Sequence, residues 1–342
     1  MTDNSFRTVQ SIGRTALIDE LMEESPLKRD DVVRAEGDDT AVTIKDESTF
    51  SLLTSETFME GVDFDLTYTP LNHLGYKVAS AVASDIFAMN GTPEVMLVNL
   101  ALPNKISVDM LKEIYRGIYS AGAEFGFQVV GGDLTASHQV LSMSLTCQGS
   151  VAKKKITYRK GAKTEEAVCV TGDLGGAIAG LRILMREKEY WQEHQQDQFQ
   201  PDLGDYEYVV GRQLVPQARQ DFIDQLAELE ILPSSMIDIT QGLVSELKEI
   251  TESSNVGALI YQAAIPIAIE TRQVADEMKE DVDKYALYGG EDLELLFTLD
   301  KDQVEKLADH FSDFVVIGKI TEESEGLKMQ TADGDLVSFE EE

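Results

Sequence analysis

Between Leu71 and Ile86 the apolar residues Leu71, Leu74, Val78, Val82 and Ile86 fall at spacings of three and four. That period makes one face of a helix part of a core. The stretch His73–Pro103 therefore reads as one helix and the strand after it. Thr69 can cap the start, and Gly91 with Pro93 marks the end. Asp85 falls in the last turn, between Ala83 and Met89. A carboxylate there meets the partial negative charge of the helix C-terminus and small apolar neighbours. It calls for compensation, by a salt bridge, by exposure to water or by a bound cation. Other acids joining Asp85 would favour the cation.

Several acids lie at comparable points. Gly37-Asp38-Asp39-Thr40 places two acids before a strand, Val42 to Ile44. A second strand, Phe50 to Leu53, leads into Thr54-Ser55-Glu56 and then Glu60-Gly61-Val62-Asp63. Hydroxyls and carboxylates at a strand end are hard oxygen ligands suited to Mg²⁺. Glu94–Leu102 reads as a buried strand and Ser107–Phe125 as a helix closed by Gly126. Val129-Val130-Gly131-Gly132-Asp133 follows, where glycines allow close backbone approach beside an acid. Val140–Val151 is a long alternating strand that ends the first half.

Composition narrows the function class. The chain has 342 residues and a formal net charge of -33, with 43% hydrophobic and 27% charged residues. These are globular values, and the length suffices for two domains with their own cores. The charge argues against nucleic acid as a partner, because phosphate contacts need a basic patch. No apolar run reaches the roughly 18 residues of a membrane span. MTDNSFRTVQ has no basic region followed by an apolar stretch, and two cysteines make no disulfide framework, so a cytoplasmic location is expected.

A domain boundary is expected between residues 151 and 152, at the basic interval Ala152–Thr164. Arg159, just before Gly161, is placed to reach a phosphate. Ala167–Thr171 reads as a strand, and Gly172-Asp173-Leu174-Gly175-Gly176 as a tight turn into a helix, because its spacing is not that of a dinucleotide loop. Glu187–Tyr206 reads as an exposed helical excursion. Asp238 and Thr240 share a face if Met236–Gly242 is extended. Val244–Thr251 and Val274–Lys279 read as helices. Tyr288-Gly289-Gly290-Glu291-Asp292 is a second glycine-glycine-acid stretch, before a strand Leu295–Leu299. Disorder is expected for the tail Glu340-Glu341-Glu342.

Taken in order, these stretches resemble the thiamine-monophosphate kinase family, of the superfamily that includes aminoimidazole ribonucleotide synthetase. The matching pieces are Gly37-Asp38-Asp39, Glu60-Gly61, His73-Leu74-Gly75-Tyr76-Lys77, Ser84-Asp85, Gly131-Gly132-Asp133, Tyr158-Arg159-Lys160-Gly161, Asp238-Ile239, Gly242-Leu243 and Gly289-Gly290-Glu291-Asp292. The resemblance implies two α/β (α+β) domains: an N-terminal mixed sheet with helices on one face (1–151), binding ATP and Mg²⁺ and dimerising, and an α+β C-terminal domain (152–342). It implies transfer of a phosphoryl group from ATP to thiamine monophosphate, with several Mg²⁺ ions, in a homodimer that pairs through the N-terminal domains.

Residue by residue, the resemblance implies that Asp39, Thr54, Asp85, Asp133 and Asp238 ligate Mg²⁺. Ser55, Glu56 and Gln241 are added as candidate ligands. Gly132, Asp133, Arg159 and Thr240 would serve ATP, with Arg159 and Asp133 at the reaction, and Asp63 and Glu291 would face the thiamine substrate. The chain also departs from the family. Glu56 stands for a usual Asp, Asp63 for a His, Gln241 for a second Asp and Leu293 for a Tyr. A usual C-terminal aromatic segment is absent. Two other readings therefore stay open: another ATP-using enzyme of the superfamily with a different acceptor, and a nucleotide- or metal-binding dimer without turnover.

Overall fold

Residues 8–23, 29–194 and 198–339 are described by a computed structural model. The expected acidic tail, 340–342, and the first seven residues lie outside the described residues. The first half runs α1 (Val9–Ile12), α2 (Arg14–Glu23), β1 (Val32–Arg34), β2 (Ala41–Ile44), β3 (Thr49–Met59), α3 (Leu71–Ala88), β4 (Thr92–Leu102), α4 (Val108–Phe125), β5 (Gln128–Ala136) and β6 (Ser142–Ala152). Helices α1 and α2 are separate because Gly13 sits at φ 85° between them. The six strands form one mixed sheet in the order β1-β2-β3-β6-β4-β5. Only β4 and β5 run parallel, which requires α4 as their crossover.

Two boundaries differ from the sequence reading. Helix α3 is preceded by Pro70 at its N-cap, and no side chain caps it, so Thr69 does not serve. Proline needs no N–H partner at a helix start. At the other end Asn90 takes the left-handed conformation (φ 56°) and Gly91 N–H bonds the Ile86 carbonyl, which closes the turn. Strand β3 runs to Met59 because it pairs with β6 from Thr49 opposite Ala152 to Met59 opposite Ser142. Thr54, Ser55 and Glu56 thus lie inside a strand, with alternate side chains on opposite faces.

The second half runs β7 (Ala167–Thr171), α5 (Gly176–Glu193), α6 (Glu207–Leu214), α7 (Gln220–Leu229), β8 (Ser235–Asp238), α8 (Leu243–Ser254), β9 (Val256–Tyr261), α9 (Ile269–Met278), α10 (Val282–Tyr288), β10 (Leu295–Leu299), α11 (Lys301–Ala308), β11 (Phe314–Glu322), β12 (Leu327–Gln330) and β13 (Leu336–Ser338). Its seven strands are ordered β13-β12-β9-β11-β7-β10-β8. Every residue of β7, β8 and β10 is buried, as in strands covered on both faces. The excursion expected over Glu187–Tyr206 is instead the end of α5 followed, after the undescribed residues 195–197, by one 3₁₀ turn at Gly204–Tyr206.

Helix α3 joins the halves. From Leu74 to Ala88 only Ala81 escapes full burial. One face meets the first sheet, another packs on α4, and a third meets β8 of the second half. Helix α4 comes so close that a Cβ on Gly75 would lie 1.9 Å from the Ile114 carbonyl oxygen, and one on Gly117 1.8 Å from that of Asn72. One apolar core runs through the junction, from Leu52, Ile86 and Phe87 to Met236, Phe297 and Leu299. The periodicity identified one buried face, but the helix is buried nearly all round.

Candidate active site

Between the halves lies a cleft of about 670 Å³. Three segments far apart in sequence send carboxylates into it. Asp39 enters from the turn before β2, Asp85 from the last turn of α3, and Asp238 from the end of β8. One oxygen of each lies within 4.8 Å of the others. Asp39 is 9% exposed, Asp85 8% and Asp238 2%.

Such a trio is electrostatically poor by itself. Burial pushes the Asp85 carboxyl well above the usual range, and the charges of Glu56, Asp238 and Asp39 push it further. Burial does the same to Asp238, followed by the charge of Asp39. Thr54 Oγ1 donates to Asp85 Oδ2 at 2.5 Å. Arg159 Nη2 lies 2.6 Å from Asp39 Oδ1, and its backbone N–H donates to Asp38 Oδ1 at 2.8 Å. Asp39 Oδ2 and Asp238 Oδ2 are buried with no hydrogen-bond partner. Clustered carboxylates with two buried oxygens that lack donors suit a hard divalent cation.

The remaining expected residues divide into three groups. Glu56, Asp63, Thr240, Gln241 and Glu291 line the cleft with the trio, Thr54 and Arg159. Asp63 also ties its own loop, since its Oδ2 accepts the Met59 N–H at 2.7 Å. Ser55 borders the cleft, but its hydroxyl is engaged with Thr146 Oγ1 at 3.0 Å on β6, away from Thr54. Gly132 and Asp133 stand outside the cleft, exposed on β5, the outermost strand of the first sheet. Packing explains the glycine: a Cβ on Gly132 would lie 1.8 Å from the Val98 carbonyl oxygen on β4. Within one chain these two residues do not join the trio.

The structure adds residues to which the sequence reading gave no role, although Lys77 and Asp292 stand within the matching motifs. Glu246, in the first turn of α8, is 2% exposed, and its Oε1 accepts the Gln241 N–H at 2.9 Å and the Thr240 N–H at 3.4 Å. Burial pushes its carboxyl up to about 7. Lys77, from the middle of α3, pairs with Glu291 at 2.7 Å. Asp292 turns the other way and caps α5: its oxygens accept the N–H groups of Gly175 at 2.7 Å and Ala177 at 3.1 Å. Of the second glycine-glycine-acid stretch, only Glu291 faces the cleft.

Residues 37–151 match the family model of the AIR synthase related protein N-terminal domain, and residues 163–329 that of its C-terminal domain. The thiamine-monophosphate kinase of Bacillus subtilis (strain 168) is 31% identical over 271 residues, 79% of either chain. That of Aquifex aeolicus (strain VF5) is 31% identical over 292 residues, 85% of this chain and 87% of the relative. The solved structure described as "AaThiL complexed with AMPPCP and TMP" superposes with a TM-score of 0.81 at 28% identity, covering 98% of this chain and 97% of that one. With both AIR synthase related domains and relatives of this identity over most of its length, the chain belongs to the thiamine-monophosphate kinase family.

Proposed function

We propose that this protein transfers the γ-phosphoryl group of ATP to the phosphate of thiamine monophosphate, giving thiamine diphosphate. The observation that carries the reading is the buried Asp39–Asp85–Asp238 trio in the cleft of a fold shared with a kinase complex containing AMPPCP and TMP. Joining two anionic phosphates demands charge neutralisation and alignment more than covalent chemistry. Asp39, Asp85 and Asp238, with Thr54, Glu56 and Gln241 around them, would hold several Mg²⁺ ions. Bound there, Mg²⁺ supplies positive charge to the phosphate oxygens. Arg159, held by Asp39, directs its guanidinium at the transferring group, and Thr240 contacts ATP. Glu246 holds the backbone of Thr240 and Gln241 in place, and Glu291 and Asp63 face the thiamine end. No covalent enzyme intermediate is involved.

The protein acts as a homodimer in this reading. Gly132 and Asp133 reach an active site only from a second copy, and β5 offers them on an exposed edge beside Val130 (53% exposed) and Leu134 (61% exposed). Residues 1–151 then carry most metal contacts and the dimer surface, and residues 152–342 close the cleft. No helix among the described residues is long and apolar enough to cross a membrane. We place the enzyme in the cytoplasm. The test is chromatography of a mixture of protein, ATP, Mg²⁺ and thiamine monophosphate. The expected result is thiamine diphosphate that vanishes with chelator and returns with Mg²⁺. ATP binding without that product would overturn the reading.

A further inference from the structure

Two cations stand among the described residues lining the cleft, Arg159 and Lys77. Arg159 is held at the carboxylate trio. Lys77 is held elsewhere: its Nζ lies 2.7 Å from Glu291 Oε2, and its side chain is only 6% exposed. The pair bridges α3 of the first half and the loop before β10 in the second. Lys77, Ala81 and Asp85 follow one another at spacings of four, so they form one stripe of α3, and all three border the cleft. Lys77 and Asp85 are thus about 12 Å apart along the helix axis. Ala81 between them presents only a methyl group and leaves room above it.

The carboxylate that meets Lys77 is held under constraint. Glu291 has φ 68° and Leu293 φ 55°, a left-handed conformation unusual for side chains of this size. Glu291 N–H bonds the Thr240 carbonyl at 3.0 Å, and Gln213 Nε2 donates to Glu291 Oε2 at 3.3 Å. The loop is fixed so that one carboxylate stands at the far end of the stripe from the trio.

We propose that the Lys77–Glu291 pair is a charge template that a zwitterionic acceptor replaces. The cationic ring of the acceptor takes Glu291, and its phosphate takes Lys77. This rests on the reading that the acceptor is thiamine monophosphate, whose thiazolium ring is a fixed cation and whose phosphate is an anion on a short arm. Without substrate, each member of the pair satisfies the other, so neither stands alone in a confined cleft. With substrate, each keeps an opposite charge beside it. Lysine suits the exchange, because a point charge on a flexible stem can swing between two acceptors. Lys77 becomes a substrate-binding residue that separates thiamine monophosphate from thiamine, which can replace only one side of the pair.

The test is calorimetry of the full-length protein with Mg²⁺, titrated with thiamine monophosphate and separately with thiamine. Lys77→Gln is expected to weaken thiamine monophosphate about tenfold to a hundredfold, the worth of a charge-assisted hydrogen bond. Thiamine binding should hold or tighten, because Glu291 loses its competitor. In turnover, KM for thiamine monophosphate should rise while KM for ATP stays. Lys77→Arg should recover most of the affinity and keeps the test valid if the Gln variant does not fold. Glu291→Gln should weaken both ligands. Unchanged thiamine monophosphate binding in Lys77→Gln, or equal weakening of both ligands, would overturn the proposal, the latter meaning that Lys77 merely holds the loop. Wild-type protein that binds neither ligand would instead overturn the proposed function beneath it.

Discussion

Asp85 shows how a single residue trades stability for chemistry. Its charge is disfavoured by burial and by Glu56, Asp238 and Asp39, against which the bare fold sets the Thr54 hydrogen bond. Asp85→Asn is expected to melt no lower than wild type in chelator, while thiamine diphosphate formation falls by at least about a hundredfold. A variant that unfolds would give Asp85 a structural role instead. Asp292 yields a pH prediction of defined sign. Burial pushes its carboxyl up to about 7 against the pull of Arg212 and the Gly175 and Ala177 N–H groups, with Glu294 adding to the rise. Between about pH 4 and about pH 7 the native state keeps a proton that the unfolded chain releases, so stability is lost as pH rises through that window. Asp292→Asn does not titrate. Between pH 5 and pH 7 its unfolding free energy, read from urea titrations, should therefore fall less than that of wild type, by on the order of 2 kcal/mol. At this scale Asp85 was legible because it interrupts an apolar helical face, and Asp39 and Asp238 through the short motifs that carry them. Glu246 was not: an acid in the first turn of a helix is ordinary, and only the tertiary fold aims it at Thr240 and Gln241.

Among elements, α3 and its neighbour α4 set the geometry, since Lys77, Ala81 and Asp85 move with α3. The Gly117 contact leaves no space for a methyl group, and the atom it would strike is backbone, which cannot turn aside. Gly117→Ala is expected to cost about 1–3 kcal/mol by overpacking. It should also weaken substrate binding in protein that remains folded, as read by a melting curve beside a titration. Helices α3 and α4 and strands β4 and β6 were readable because eighteen-residue helices and eleven-residue strands contain several periods of their pattern. Helices α6 and α10, of eight and seven residues, contain barely two turns and were missed. Strand β3 was cut short after Leu53, because Thr54 to Thr57 are polar or acidic. Pairing with β6, a partner about 90 residues away, decides its length.

For the whole molecule, the order of motifs along the chain carried the two-domain architecture, but no local pattern could state that residues 39, 85 and 238 converge. That convergence depends on how two sheets clasp one helix. The same holds one level higher for Asp133, which the sequence assigns to the site and a single chain leaves on an outer edge. A symmetric dimer resolves this if each site takes Asp133 from the other copy. Complementation tests it. Asp85→Asn and Asp133→Asn chains, each inactive alone, are co-expressed with two different tags. In the mixed dimer one site combines an intact Asp85 with the partner's intact Asp133, and the other site carries both substitutions. Random pairing makes half the dimers mixed, so the pool should recover about a quarter of wild-type turnover, and dimers purified through both tags about half. If Asp133 served its own chain, every site would carry one substitution, and no activity would return at any mixing ratio.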